Sequence, residues 1–185
     1  MMPEISLNVL DVAQNSVRAG ASLISISVRA DTNQDTLTIV IEDNGCGMTK
    51  EQAARVIDPF FTTRTTRKVG LGVPFFKLAA ESTGGSFSIR SEPGVGTVVT
   101  AVFILSHIDR MPLGDMVSTI HTLIMMNTGI DFLYTFCMDG RQFVLDTREF
   151  REILGDIPFD APEISSYIRE YLTENEKEVL QGTVL

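Results

Sequence analysis

The sequence predicts an α+β fold. A two-layer α/β sandwich, with a mixed, mostly antiparallel sheet carrying helices on one face, is expected to precede a small α+β C-terminal module. Three observations predict it. Apolar and polar residues alternate over 24–28 and 37–41, the signature of strands with one buried face. A helical pattern with one apolar and one polar side precedes them. The element order α-β-β-α-α-β-β contains no repeating βαβ unit, so a doubly wound parallel sheet is not expected.

Composition sets the frame. The 185 residues include 44% apolar and 21% charged side chains, too apolar for a disordered chain and too mixed for a coiled coil. The longest nearly apolar stretch, Thr97 to Leu105, is far short of the roughly 20 residues of a membrane span, so no membrane insertion is expected. The start, Met1-Met2-Pro3-Glu4, lacks the layout of a secretory leader, and Cys46 and Cys137 form no CxxC pair. Both predict a cytoplasmic protein with reduced thiols. The net charge of −9 argues against nucleic acid as a partner. Its distribution is uneven: residues 1–111 hold 10 basic and 11 acidic side chains, residues 112–185 hold 5 and 13. That step predicts a first domain over 1–105, a junction over 106–113 and an acidic module over 114–185.

Ile5 to Ala19 reads as a helix stopped by Gly20, with Leu10, Ala13 and Val17 on its apolar side and Asp11, Asn15 and Arg18 on its polar side. Two strands follow around the turn 31–35. Thr49 and Gln52 form a capping-box pattern opening a short helix to about Ile57. A second helix runs from about Leu71 to Thr83 and ends at Gly84-Gly85. Strands at Ser86–Arg90 and Thr97–Leu105 close the domain. In the C-terminal part, 115–126 is helical with Met116, Ile120, Leu123 and Ile124 inside. Strands at 130–138 and 142–146 meet at the hairpin dipeptide Asp139-Gly140. Helices at 147–154 and 163–180 follow, the latter placing Ile164, Tyr167, Ile168 and Tyr171 on one face. Met125, Met126 and Met138 are expected as core filler.

Three stretches carry chemistry. On the polar helix side, an Asn amide oxygen one turn after a carboxylate suits Mg²⁺, which takes oxygen ligands and keeps several waters. After the second strand, Glu42-Asp43-Asn44-Gly45-Cys46-Gly47-Met48 offers a carboxylate able to accept from a base amine, and glycines that let backbone approach a flat ligand. From Asp58 to Gly72 a basic, hydroxyl-rich loop passes Arg64 and Lys68 and runs through Gly70-Leu71-Gly72 into a helix N-terminus, where N–H groups and the dipole favour phosphate. No GxxxxGK[ST] is present, so this is not a P-loop.

The order and spacing of these stretches resemble the GHKL ATPases: gyrase B subunits, heat-shock chaperones, sensor histidine kinases and mismatch-repair MutL proteins. Asp11 to Ala21 resembles the N box, Asp43-x-Gly45-x-Gly47 the G1 box and Gly70-x-Gly72 the G2 box. Phe60-Phe61-Thr62-Thr63-Arg64 resembles the F box of histidine kinases, and Glu92 to Thr97 the closing Gly-x-Gly-Thr turn. The likeness covers 4–105 and is nearest to histidine kinase catalytic domains, with a MutL-like N box.

The resemblance implies an ATP site under a lid at about 58–69. Asn15 would coordinate Mg²⁺, Arg18 would stand on the phosphate side, and Asp43, assisted by Thr97, would read adenine. Gly45, Gly47 and Met48 would pass the base, while Arg64, Lys68, Gly70, Leu71 and Gly72 would meet the phosphates. Asp11 stands where hydrolysing relatives carry a Glu base, and its shorter reach puts hydrolysis in doubt. Ser106-His107-Ile108-Asp109-Arg110-Met111-Pro112-Leu113 is similar to the phosphoacceptor box of histidine kinases, which would make His107 an acceptor. It follows the ATPase region where theirs precedes it, and Ile108 replaces an acidic residue. The implied function is phosphate transfer to a response-regulator-like protein partner in a signalling system, with a homodimer as one arrangement. An ATP-dependent switch on an anti-sigma-type target and a MutL-like clamp are the alternatives.

Overall fold

The computed structural model describes residues 2–58, 71–155 and 157–185. Along the chain lie α1 (Ile5–Arg18), β1 (Leu23–Asp31), β2 (Thr36–Asp43), α2 (Lys50–Val56), α3 (Gly72–Glu81), β3 (Ser86–Glu92) and β4 (Gly96–Ile104). Then come α4 (Met116–Met126), β5 (Asp131–Met138), β6 (Arg141–Asp146), α5 (Thr147–Leu154) and α6 (Pro162–Leu180). The elements occur in the expected order and type.

Strand alternation puts Ile24, Ile26, Val28 and Ala30 of β1 and Leu37, Ile39 and Ile41 of β2 into the core, with Ser25, Ser27 and Thr38 on the opposite face. Helices α1, α3, α4 and α6 pack on the apolar face. In α1 the buried stripe includes Ile5, Val9, Val12, Ala13 and Ser16; of the expected Leu10, Ala13 and Val17, Ala13 is fully buried as expected, while Leu10 and Val17 are partly buried beside the stripe. The expected pattern was shifted around the helix because Ser16 is polar yet faces inward. Short caps act where the residues predicted them: Thr49 and Gln52 complete the capping box of α2, and Asp139 (φ 48°) and Gly140 (φ 84°) form the tight β5–β6 turn.

The six strands form one sheet in the order β3-β4-β2-β1-β5-β6. Every neighbouring pair is antiparallel except β1–β5, which is parallel with Leu23 opposite Asp131 and Ala30 opposite Met138. The C-terminal segment, expected as a module packed on the first domain, therefore extends the first domain's sheet and shares its core. Residues 106–113 form the crossing, fixed from both sides. The N–H groups of Ile5 and Ser6, which open α1 without a side-chain cap, donate to the carbonyls of Pro112 (3.0 Å) and Leu113 (2.8 Å). Two further readings are corrected. Met126 is 72% exposed because it lies on the outer side of α4. Tyr167 is 55% exposed because α6 turns Ile168, Leu172 and Val179 inward. Among the described residues no helix is long and apolar enough to cross a membrane.

One polar group in the packed layer has a measurable consequence. Burial, reinforced by the Asp115 carboxylate, pushes Glu176 up to about 7 from its ordinary 4.5, while the fully buried Tyr134 hydroxyl pulls the other way. Between those values the folded state holds a proton that the unfolded chain has released, so stability falls as pH rises across that window and is lowest above it. Glu176 is partly exposed, which reduces the effect. Glu176→Gln is expected to stabilise the protein by about 2 kcal/mol at pH 8 and not at pH 4, measured by urea unfolding at both. A gain of equal size at the two pH values would contradict the assignment.

Candidate functional site

Asp43 ends β2 and is buried, an expensive place for a carboxylate unless hydrogen bonds satisfy it. Two donors do so: the Ser16 hydroxyl reaches one oxygen at 2.6 Å and the Gly45 N–H the other at 2.9 Å. A carboxylate has about four acceptor positions, so capacity for a further donor remains. Thr97 lies beside it, the register partner of Asp43 across β2–β4.

The loop after Asp43 is held by backbone contacts that exclude side chains. Gly47 has φ +64°, and a Cβ there would collide with the Glu92 carbonyl. At Gly45 it would press on Ala19 at 2.8 Å. At Gly96 it would strike the carbonyl of Asp43 itself. The loop is stitched to its surroundings by Cys46 N–H to the Ala19 carbonyl (2.9 Å), Gly94 N–H to the Cys46 carbonyl (2.8 Å) and Met48 N–H to the Ser91 hydroxyl (2.8 Å). Ser91 also lies 2.8 Å from the Thr97 hydroxyl, so one serine joins the loop to the strand that flanks Asp43.

The polar side of α1 completes the site. A Cβ at Gly72, the first residue of α3, would collide with the Asp11 carboxylate, so α1 presents an acid directly at the start of α3. Among the described residues that start has no side-chain cap, and since Pro74 has no N–H and Phe75 N–H donates to the Leu71 carbonyl (2.8 Å), the first-turn donors it can offer an anion are those of Gly72 and Val73. Asn15, one turn on from Asp11, accepts from the Arg18 guanidinium at 3.0 Å. Asp11, Asn15, Arg18, Asp43, Gly45, Gly47, Met48, Leu71, Gly72 and Thr97 thus sit on α1, the loop after β2, the start of α3 and the start of β4. Phe60 to Arg64, Lys68 and Gly70 lie outside the described residues. His107 does not join the group. It follows β4 at the end where Ile104 pairs with Thr36, whereas Thr97 pairs with Asp43 at the other end, seven residues or about 23 Å along the strand.

Two contributors were missed in the sequence. Ser16 carries a readable signal, a polar residue on the buried stripe that must find a hydrogen-bond partner. Ser91 carries none, since its role depends on three separate chain segments meeting.

The family comprising histidine kinase-, DNA gyrase B- and HSP90-like ATPases matches residues 4–107. The chain is 36% identical over 97 residues to the sensor protein kinase FleS of Pseudomonas aeruginosa, covering 52% of this chain and 24% of that protein. It is 31% identical over 121 residues to the non-motile and phage-resistance protein of Caulobacter vibrioides, covering 62% of this chain and 14% of that one. The chain thus corresponds to a quarter or less of the length of these relatives. Among solved structures, the Aquifex aeolicus MutL ATPase domain complexed with ADP aligns with a TM-score of 0.50 at 14% identity, over 83% of this chain and 70% of that one. Residues 4–107 alone cannot supply such coverage, so the likeness in fold extends beyond residue 107. With the match spanning α1, the loop after Asp43 and the strands through β4, the chain belongs to the histidine kinase-, DNA gyrase B- and HSP90-like ATPase family.

Proposed function

We propose that residues 4–105 bind Mg-ATP and act as the nucleotide module of a signalling phosphotransferase, passing phosphate to a response-regulator-like protein partner. The observation that supports this best is Asp43, a buried carboxylate oriented by Ser16 and Gly45 and left with capacity for one more donor. In this reading Asp43 accepts the adenine amine, Thr97 assists through its hydroxyl, and Gly45, Gly47 and Met48 flank the base. Leu71 and Gly72 offer the α3 N-terminus to the phosphates, and Arg64, Lys68 and Gly70 are proposed as further phosphate ligands.

The residues fit a magnesium ion held mainly by phosphates and water, since the protein contributes one amide oxygen, that of Asn15. The Arg18 guanidinium now donates to that oxygen and must release it, which leaves Arg18 available to a phosphate. Magnesium would supply charge neutralisation on the transferring group. Asp11, held against Gly72, has a shorter side chain than the Glu base of hydrolysing relatives. Transfer depends mostly on positioning and charge stabilisation, so a short acid is a smaller handicap there than in hydrolysis. The distance of His107 from Asp43 favours an acceptor on another protein, or His107 of a second subunit in a homodimer.

Incubation with γ-labelled ATP tests this. Label on a protein acceptor is expected, and its loss in Asn15→Ala. Label lost in His107→Ala and restored by mixing that variant with Asn15→Ala would place the acceptor across a dimer. Partner retention that follows nucleotide without transfer of label would replace the kinase reading with the anti-sigma-type switch, and ATP-dependent dimerisation with slow hydrolysis would replace it with the clamp.

A further inference from the structure

We infer that one flank of α6, together with α5, is a docking surface for a basic amphipathic helix of a partner protein. In α6 the inward positions are Ile168, Leu172 and Val179. At 100° per residue, Glu163, Tyr167, Glu170, Tyr171, Glu174 and Glu178 fall together on one flank, while Arg169 and Lys177 fall outside it. The flank therefore carries four carboxylates and two tyrosines, with Lys177 at its edge, about 20° beyond Glu170, and Arg141 of β6 beside Glu178 at its C-terminal end.

Helix α5 lies against this flank. The Phe150 ring meets Tyr167 at 6.1 Å and Tyr171 at 5.7 Å between centroids. One turn on, Ile153 is 84% exposed, and Ile157 just beyond the helix is 52% exposed. Tyr167 is itself 55% exposed, so apolar side chains are left uncovered on α5, just beyond it and on α6, and exposed apolar surface rimmed by charge marks contact sites. The two arginines of α5 do not offset the acids. Arg148 is bound to Asp146 at 2.6 Å, and Arg151 to Asp131 at 2.7 Å and to the Thr128 carbonyl at 2.6 Å. Glu149 and Glu152 add to the same sign.

This pattern selects the occupant. The exposed apolar side chains and aromatic rings supply the anchor, and a rim in which the acids outnumber the cations selects a partner with Lys or Arg flanking its own apolar stripe. A second copy placed with the same face inward would set glutamates against glutamates. From Glu163 to Glu178 the flank runs about 22 Å, the length of a four-turn helix. The inference is independent of nucleotide chemistry, because none of these residues belongs to the ATP site.

The test uses the full-length chain and a fluorescent 16-residue Lys–Leu amphipathic peptide, read by anisotropy. Binding that weakens with salt is expected, with no binding of the Glu–Leu counterpart. Tyr167→Ser with Ile153→Ser should weaken it at least tenfold, as should Glu170→Gln with Glu174→Gln, which keeps the exposed apolar side chains and guards against a folding defect in the first pair. The exposed control pair Glu42→Gln with Glu81→Gln should change it less than twofold. Equal loss in the control pair, binding untouched by both flank pairs, or self-association of the chain abolished by Tyr167→Ser would each overturn the inference.

Discussion

Asp43→Asn is expected to abolish Mg-ATP binding while leaving the fold intact. The amide keeps an oxygen to accept from Gly45 N–H, and the Ser16 hydroxyl can rotate to suit the new group, so the loop should hold its shape. What changes is the direction of the remaining hydrogen bond. An amide NH₂ set against an adenine amine puts donor against donor in a buried site, and an unmade bond to a charged group costs about 3 kcal/mol, or over a hundredfold in Kd. Asp43→Ala should lose binding equally but also leave the Ser16 hydroxyl buried without a partner, lowering the melting temperature. Calorimetric titration with Mg-ATP decides: an Asp43→Asn protein that binds as tightly as wild type would remove Asp43 from base recognition.

Gly47→Ala should damage both stability and binding. Its φ of +64° is unfavourable for alanine, and the added methyl would collide with the Glu92 carbonyl, backbone that cannot rotate away. The loop and the β3–β4 turn would have to separate, breaking the Gly94–Cys46 and Met48–Ser91 hydrogen bonds. A cost of about 3 kcal/mol corresponds to a fall of about 10 °C in melting temperature for a chain of this length. Unchanged Tm and Mg-ATP affinity in Gly47→Ala would show that the loop is not seated as described.

How far these features could be read from the residues depended on whether their cause was local. The alternation in β1 and β2, the Thr49–Gln52 box and the Asp139-Gly140 turn are set by neighbours within four positions, and each was legible. The parallel pairing of β5 with β1 was not, since β5 alternates as any half-buried strand does and nothing in it names its neighbour. The inward side of α1 was misjudged for a related reason. Ser16 looks like a surface residue until Asp43, 27 positions later, supplies its partner.

The parallel seam between β1 and β5 also bears on the order in which the protein can be made. Leu23 meets Asp131, so β1 leaves the ribosome roughly 110 residues before its second neighbour. At about 5–20 residues per second the nascent chain passes on the order of 5–20 s with one side of β1 unpaired. During that interval Leu23 to Ala30 is an open edge beside apolar core residues, the condition in which chains cross-pair with one another. Chaperone dependence should therefore track translation speed through residues 31–131, and slowing that stretch should lower the soluble yield.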